Sequence, residues 1–417
     1  MERTPSWLKL DNAGKIFPAT SSRRSTGVFR ISCELHEPVR EAPLQRALDR
    51  TLQQFPHFLY ILRSGLFWYY LEASDISPTV HEENRGVCAQ LFYRNKRGLL
   101  FDVSYYHNRI NLDVYHALTD GTGAMQFLKA FLCRYLTEVH PEAVHPELAD
   151  EIAPAPLSSR AEDSFQKYYK HVKLEKSNLP KHVYRLSGIR SEEQIITEGR
   201  MPCKDVLALA KAHGASLTIF LSALLVMSIH REMMLYKEKK PVVLTVPVNL
   251  RNYFPSETAR NFFGNIRVAY RFGTGEDDLG HIISALKAGF EHELTKERLS
   301  GRISRYMSVE RNPFAKIAPL SFKNFCLRIA RRISDLGETM VISNVGRVEL
   351  PKEIAGYVRN MTVLAGTAKL QACVCTCGDV LSVGFSSQFE ETDIQRNFFR
   401  MLAEMGIRIE VASNSAD

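Results

Sequence analysis

The sequence predicts an α/β protein built from two domains, and three observations carry that prediction. The chain has 417 residues, more than one compact core usually organises and suited to two. Apolar residues recur with a period of two in some stretches and of 3.6 in others, interleaved along both halves, which is the pattern of strands mixed with helices. From about residue 140 to 180 the periodicity fades, and the segment HPEAVHPELADEIAPAPLSSRAEDS is rich in Pro, Ala and acidic residues. Such a segment suits a crossover between two halves. The domains are therefore expected to span residues 1–160 and 161–417.

In the first half, VFRISCELH reads as a strand, and Leu44, Leu48 and Leu52 then recur at helical spacing. GLFWYYLE, Gly65 to Glu72, is a strand candidate rich in aromatics. RGLLFDVSYYHNRINLDVYH reads as a hairpin turning at His107-Asn108. Ala124, Phe127, Leu128, Phe131, Leu132 and Tyr135 then mark one face of an amphipathic helix. The second half opens with a strand around Gln194 to Thr197 and two helices, with Gly214 placed to end the first and Ser216 to cap the second. PVVLTVPVNLR and NFFGNIRVAYRF are strands, and Asp277 to Leu299 reads as one helix. TMVISNVGRVELP and a hairpin turning at Gly378-Asp379 complete the sheet, and Phe389 to Gly406 holds the last helix.

Hydrophobic residues at 45% and charged residues at 24% describe an ordinary globular chain. The charge of +8 is mild and spread out, with a small cluster at Arg328, Arg331 and Arg332. It suits an anionic small ligand, and no nucleic-acid-binding motif accompanies it, so nucleic acid is not an expected partner. The longest apolar run, Ala215 to Ile229, is shorter than the ~20 residues of a membrane span and contains Ser and Thr, so a buried helix is expected and no transmembrane segment. The N-terminus lacks a leader-like apolar core. A cytoplasmic protein with eight reduced Cys is the resulting expectation. Cys373, Cys375 and Cys377 in CVCTC share one face of a strand. Three thiolates there suit a soft metal, but a tetrahedral zinc site wants a fourth ligand and usually CxxC spacing. Core filling is the preferred reading, with no metal.

The chemistry-bearing motif is YHALTDG, in which His116 ends a strand and Asp120-Gly121 leads into the amphipathic helix. An imidazole is near neutrality at pH 7, and a strand end holds it rigidly, as a general base requires. Asp120 is placed to pair with an Arg or to orient the ring. Gly121 is expected to supply a backbone conformation that a β-carbon opposes, and Gly123 to keep the helix entrance open to a ligand. HxxxDG is expected by chance roughly 0.03 times per chain of this composition. A surface His that happens to precede a Gly-containing turn is the alternative.

YHALTDG resembles the HHxxxDG motif of the chloramphenicol acetyltransferase-like acyltransferase superfamily. VPVNLRNYF with the following FFGN, and ISNVGRVELP, resemble later segments of wax ester synthases and alcohol acetyltransferases. WLKLDNAGKIFPA resembles the opening of bacterial alcohol acetyltransferase-like proteins. The resemblance implies a two-domain α/β sandwich with an active-site tunnel at the domain interface. It implies an acyl-CoA-dependent O-acyltransferase that moves an acyl group, acetyl by preference, from a CoA thioester to an alcohol. No cofactor would be bound; acyl-CoA is the co-substrate and a small-molecule alcohol the acceptor. His116 would be the base. Asp120 would be structural, paired with an Arg, for which Arg251 is the candidate. Ser343, Asn344 and Arg251 are candidates for contacting substrate or CoA; hydrogen-bonded strand ends are the alternative for Ser343 and Asn344. Tyr115 stands where the family has its first His, which leaves the base intact and puts the tunnel wall or tautomer control in question. A carrier-protein thioester donor, as in condensation domains, and an inactive binding homologue are the competing readings.

Overall fold

Alternation along Val28–Leu35 and the hairpin after it builds the first sheet. The computed structural model describes residues 5–94, 96–152, 162–170, 182–234, 237–273 and 275–414, so the expected boundary at 160/161 lies outside the described residues. Five strands lie in the order β12 (Val358–Ala365), β2 (Val28–Leu35), β7 (Arg109–Tyr115), β6 (Phe101–Tyr106) and β5 (His81–Glu82). β6 and β7 meet in the turn at His107-Asn108, with His107 in the left-handed region at φ 51°. Register sets Phe29, Ile31 and Cys33 opposite Val114, Leu112 and Ile110. These residues share one core with the helices Glu41–Gln54 and Gly121–Val139. The other face carries buried polar groups that satisfy one another. Arg30 pairs with Asp113 at 2.7 Å and also with Glu83, and Ser32 donates to Asn111 at 2.8 Å. A buried guanidinium is tolerable only when matched in this way.

A second sheet runs β10 (Phe263–Tyr270), β9 (Val242–Asn249), β11 (Met340–Val348), β13 (Gln371–Cys377), β14 (Val380–Phe389), β8 (Arg190–Pro202) and β15 (Glu410–Ser413). The helices Leu217–Arg231, Leu279–Glu293 and Asp393–Glu404 share its core. Ser216 caps the first of these by accepting from the Ile219 N–H, and Gly214 stands just past the end of the preceding helix at φ 64°. β1 (Trp7–Lys9), β4 (Tyr69–Ala73) and β3 (Tyr60–Ser64) form a small third sheet. Among the described residues no single helix is long and apolar enough to cross a membrane.

Two features of the sheets position the site, the first of them in the second sheet. β9 and β11 are neighbours but pair only at Met340–Leu244 and Val341–Thr245. Beyond those pairs β9 stays with β10 and β11 with β13, so the sheet splits. Burial records the split: Val242 to Val246 are buried, whereas Pro247, Val248 and Asn249, and Ser343 and Asn344 across the gap, are only half-buried. A β-bulge between Asn344 and Gly346, with Gly346 at φ 87°, redirects β11 there. The second feature is β12, which belongs to the second half of the chain yet pairs along its length with β2. Where β12 passes β14 the backbones nearly touch, and a β-carbon on Gly384 would lie 2.9 Å from the Val363 carbonyl oxygen.

Three sequence expectations need correction, at Gly65, at Asp277 to Leu299 and at β8, whereas the CVCTC cysteines fill a core as expected. Gly65 is not in a strand: its N–H donates to the Trp68 carbonyl at 2.9 Å, closing the turn between β3 and β4. Asp277 to Leu299 is not one helix. Thr295 interrupts it and caps a second helix, Lys296–Arg311, by accepting from the Arg298 N–H. β8 runs well beyond Gln194 to Thr197 in both directions. Cys373, Cys375 and Cys377 sit in the first core beside Cys33. Burial pushes the Cys373 and Cys375 thiols up to about 12, away from the thiolate that a metal requires.

The close approach at Gly384 predicts that Gly384→Ala destabilises the protein by about 1–3 kcal/mol through overpacking. Gly301→Ala, in a helix with open space around the new carbon, is expected to be neutral or stabilising by up to ~1 kcal/mol. Urea unfolding of the two variants checks the contrast.

Candidate active site

His116 follows directly on β7, and its N–H donates to the Gly27 carbonyl at 2.9 Å, which holds its backbone against the start of β2. Strand alternation turns its ring to the same side as Val114 and Phe29. Three phenylalanines enclose it. Phe17, from the short helix Ile16–Thr20, stacks on the ring at 4.7 Å with planes 4° apart; Phe29 lies at 4.6 Å, and Phe263, at the start of β10, at 5.5 Å. The ring thus stands between the two halves, beside the end of the sheet that splits.

The tautomer follows from the neighbouring amide. Asn261 donates through Nδ2 to the His116 carbonyl at 2.9 Å and to Asp11 Oδ2 at 3.1 Å. These acceptors fix the amide orientation and leave Asn261 Oδ1 facing His116 Nδ1 at 3.4 Å. The contact is long and weak, but it favours the proton on Nδ1. Nε2 keeps the lone pair and makes no hydrogen bond to the described residues. Burial lowers the His116 pKa from its ordinary value, against the smaller opposing pulls of Asp120, Asn261 and Asp11. The shift favours the neutral ring.

Asp120 does not touch the ring nitrogens. It is the N-cap of the Gly121–Val139 helix, with Oδ1 accepting from Thr122 N at 3.1 Å and Gly123 N at 3.2 Å. Oδ2 accepts from Arg251 Nη1 at 2.7 Å and from the Phe262 N–H at 2.9 Å. Arg251 also donates to the carbonyls of Thr258 and Arg260 and to Asn249 Oδ1. Every N–H direction of its guanidinium meets a protein acceptor, so Arg251 is the partner of Asp120 and has no donor to spare for CoA.

The glycines exchange roles relative to expectation. Gly121 has no positive φ, and a β-carbon added there would meet only open space, so its backbone does not demand glycine. Gly123 does: a β-carbon there would strike Thr119 Oγ1 and the Ala259 carbonyl. What crowds Gly123 is the preceding turn at Thr119 and, from the other half of the chain, Ala259, not a ligand path. Tyr115 faces away from His116 into the first core. It is fully buried, its hydroxyl lies 3.0 Å from Ser21 Oγ, and it stacks on Phe92. Its route to His116 is Phe17, which meets Tyr115 edge-on and His116 face-on. Ser343 and Asn344 are not at a strand end but at the bulge within β11. Asn344 is engaged on both sides, donating to Thr218 Oγ1 at 2.8 Å and accepting from the Gly346 N–H. Ser343 Oγ makes no hydrogen bond among the described residues.

Sequence reasoning missed Asp11, Phe17 and Asn261 as individual residues. All three lie in stretches that carried the resemblance or adjoin them. No local spacing announces that Asn261 meets a His 145 positions earlier.

Asp120 and Arg251 are 6% and 11% exposed. Removing one partner of such a pair strands the other, so Asp120→Ala is expected to cost about 3–5 kcal/mol. Gly123→Ala is expected to cost more than Gly121→Ala, which should be close to neutral. Thermal or urea unfolding measures all three.

No family model and no curated protein matches the sequence. Solved structures do. A trichothecene 15-O-acetyltransferase from Fusarium sporotrichioides is similar over 97% of this chain and 96% of its own, at 10% identity and a TM-score of 0.63. TRI101 of the same organism, crystallised with coenzyme A and T-2, is similar over 97% and 99%, at 11% identity and a TM-score of 0.64. The first condensation domain of the calcium-dependent antibiotic synthetase, bound to a substrate analogue, is similar over 97% of both chains, at 16% identity and a TM-score of 0.63. The chain has the two-domain, chloramphenicol acetyltransferase-like α/β fold.

Proposed function

We propose that this protein is an acyltransferase that moves an acyl group, acetyl by preference, from a coenzyme A thioester to the hydroxyl of an alcohol. The observation that carries the reading is His116 Nε2. It is an uncharged nitrogen with its lone pair free, held by a stacked ring and an oriented amide, beside a split in the sheet. A base for a hydroxyl needs that state and that fixity. The fold supports the reading because structures of this fold include acetyltransferases, one crystallised with coenzyme A. The sequence resemblance to alcohol acetyltransferases and wax ester synthases points to an alcohol acceptor.

The step balances without a bound cofactor. Nε2 takes the hydroxyl proton as the alcohol oxygen forms a bond to the thioester carbonyl carbon. The carbonyl becomes an oxyanion, then re-forms as the carbon–sulfur bond breaks, and the leaving thiolate takes the proton back from Nε2. Ser343, with its hydroxyl uncommitted at the gap between β9 and β11, is the candidate to contact the oxyanion or the pantetheine arm. Asp120 and Arg251 position the loop that holds Asn261 against the base. The likeness to condensation domains favours one other donor, a carrier-bound thioester acting on the same base.

Acetyl-CoA turnover with a panel of alcohols, read by mass spectrometry of the ester, tests the proposal. A thiol dye is unsuitable for a protein with eight Cys. His116→Ala is expected to lower ester formation about 10²–10⁴-fold while the variant stays folded; equal rates would remove His116 as the base. No ester from any alcohol with free CoA donors would favour the carrier-bound donor or an inactive homologue.

The pH profile is a second check. The base works only when neutral, and burial lowers the pKa below the ordinary 6.5. The kcat/KM is therefore expected to rise through a midpoint below 6.5 and to be flat above it. A midpoint at or above 6.5 would mean that another group governs the rate.

A further inference from the structure

The helix Leu320–Leu336 is turned the wrong way for a core helix. Phe322, Phe325, Ile329, Ile333 and Leu336 recur at intervals of three and four, which lines them along one face, and each is 41% to 64% exposed. The one residue this helix buries is polar: Asn324 faces inward and donates to the Tyr69 hydroxyl at 2.8 Å. The apolar surface extends past the helix. Phe314 and Ile317 just before it are 80% and 70% exposed. The turn after β3 joins it, where the Leu320 N–H donates to the carbonyl of Leu66, itself 75% exposed. Monomeric soluble proteins rarely leave so long a contiguous apolar strip uncovered.

The charges beside the strip have one sign. Lys316, Lys323, Arg328 and Arg332 accompany it, and the helix's one carboxylate, Asp335, lies off the strip and is paired with Arg331 at 2.8 Å. Arg332 and Arg328 flank the apolar face on one edge by helical position. A cavity of about 480 Å³ opens at the C-terminal end of the same helix, lined by Leu336 and by Arg185, Arg190, Lys237, Lys240 and Lys369, with Asp335 and Glu338 the only acids. Lys369 and Thr245 both engage Glu338.

We propose that this helix docks the protein on an anionic phospholipid bilayer, its apolar face in the acyl boundary and the adjoining basic cavity against headgroup phosphates. An exposed apolar face edged by cations is the composition of an interfacial helix, and each cation near such a surface adds to binding. A second copy of this chain is a poorer occupant, because it would bring the same cations and no matching acids. The docking face is mechanically close to the base. Arg328 Nε donates to the Ala19 carbonyl at 3.0 Å, in the Ile16–Thr20 helix whose Phe17 stacks on His116. The proposal does not depend on the reaction assigned above.

Flotation of the full chain with vesicles tests it. Vesicles of equal parts phosphatidylcholine and phosphatidylglycerol are expected to bind about tenfold or more better than pure phosphatidylcholine, and the binding to weaken as salt is raised. The double variant Ile329→Glu with Ile333→Glu changes two exposed positions, so it should fold, as circular dichroism checks, and lose about tenfold or more of that binding. Arg332→Glu should weaken it with the apolar face intact. Absence of binding by the unaltered protein, or equal binding by the double variant, overturns the proposal. So does a dimer in gel filtration that the double variant dissolves while the unaltered protein ignores vesicles.

Discussion

One carboxylate joins the two halves of this protein, and the site depends on how completely it is used. Asp120 caps a helix of the first half with one oxygen and takes Arg251 and the Phe262 N–H of the second half with the other. A buried ion pair is stabilising only when the remaining lone pairs and protons are also satisfied, and here they are. Arg251 passes the constraint on by clamping the carbonyls of Thr258 and Arg260. The next residue is Asn261, whose amide faces the ring of His116. Asp120 thereby reaches His116 twice: along the chain through the turn, and across the interface through Arg251.

The surroundings of His116 favour its neutral form, the form the proposed base needs. Aromatic rings from three separate elements exclude water, and low polarity disfavours the charged imidazolium. Asp11 is close enough to matter, but its Oδ2 is directed at Asn261 and not at the ring. The negative charge therefore orders the amide more than it raises the basicity. Tyr115 contributes from the other face of the strand, as a buried wedge that supports Phe17.

What was legible in the sequence was local. The hairpin at His107-Asn108, the cap at Ser216 and the approach from His116 through Asp120 into a helix depend on neighbours within a few positions, and period and turn chemistry report those. The site partners were not legible, because Asn261 and Asp11 are brought to His116 by tertiary packing alone. Gly121 and Gly123 make the limit concrete: two glycines in one helical turn look alike, and only the folded positions of Thr119 and Ala259 show which of them requires it. The Leu320–Leu336 helix escaped for a different reason. Its periodicity is present, but periodicity does not say whether an apolar face looks inward or outward. β12 could not be assigned to the first sheet from local pattern at all.

That strand has a consequence for how the protein is made. β2 is among the first segments to leave the ribosome, but its partner, β12, follows only after roughly three hundred further residues. At ~5–20 residues per second the edge of β2 stays without its partner for about 15–65 s. An unpaired edge is a template for pairing with other chains. The nascent first half is thus obliged to wait in an incomplete state, and its assembly ends with a late insertion from the far side of the molecule. A polypeptide cut at the crossover would make that waiting state permanent, so the two halves form one biosynthetic unit.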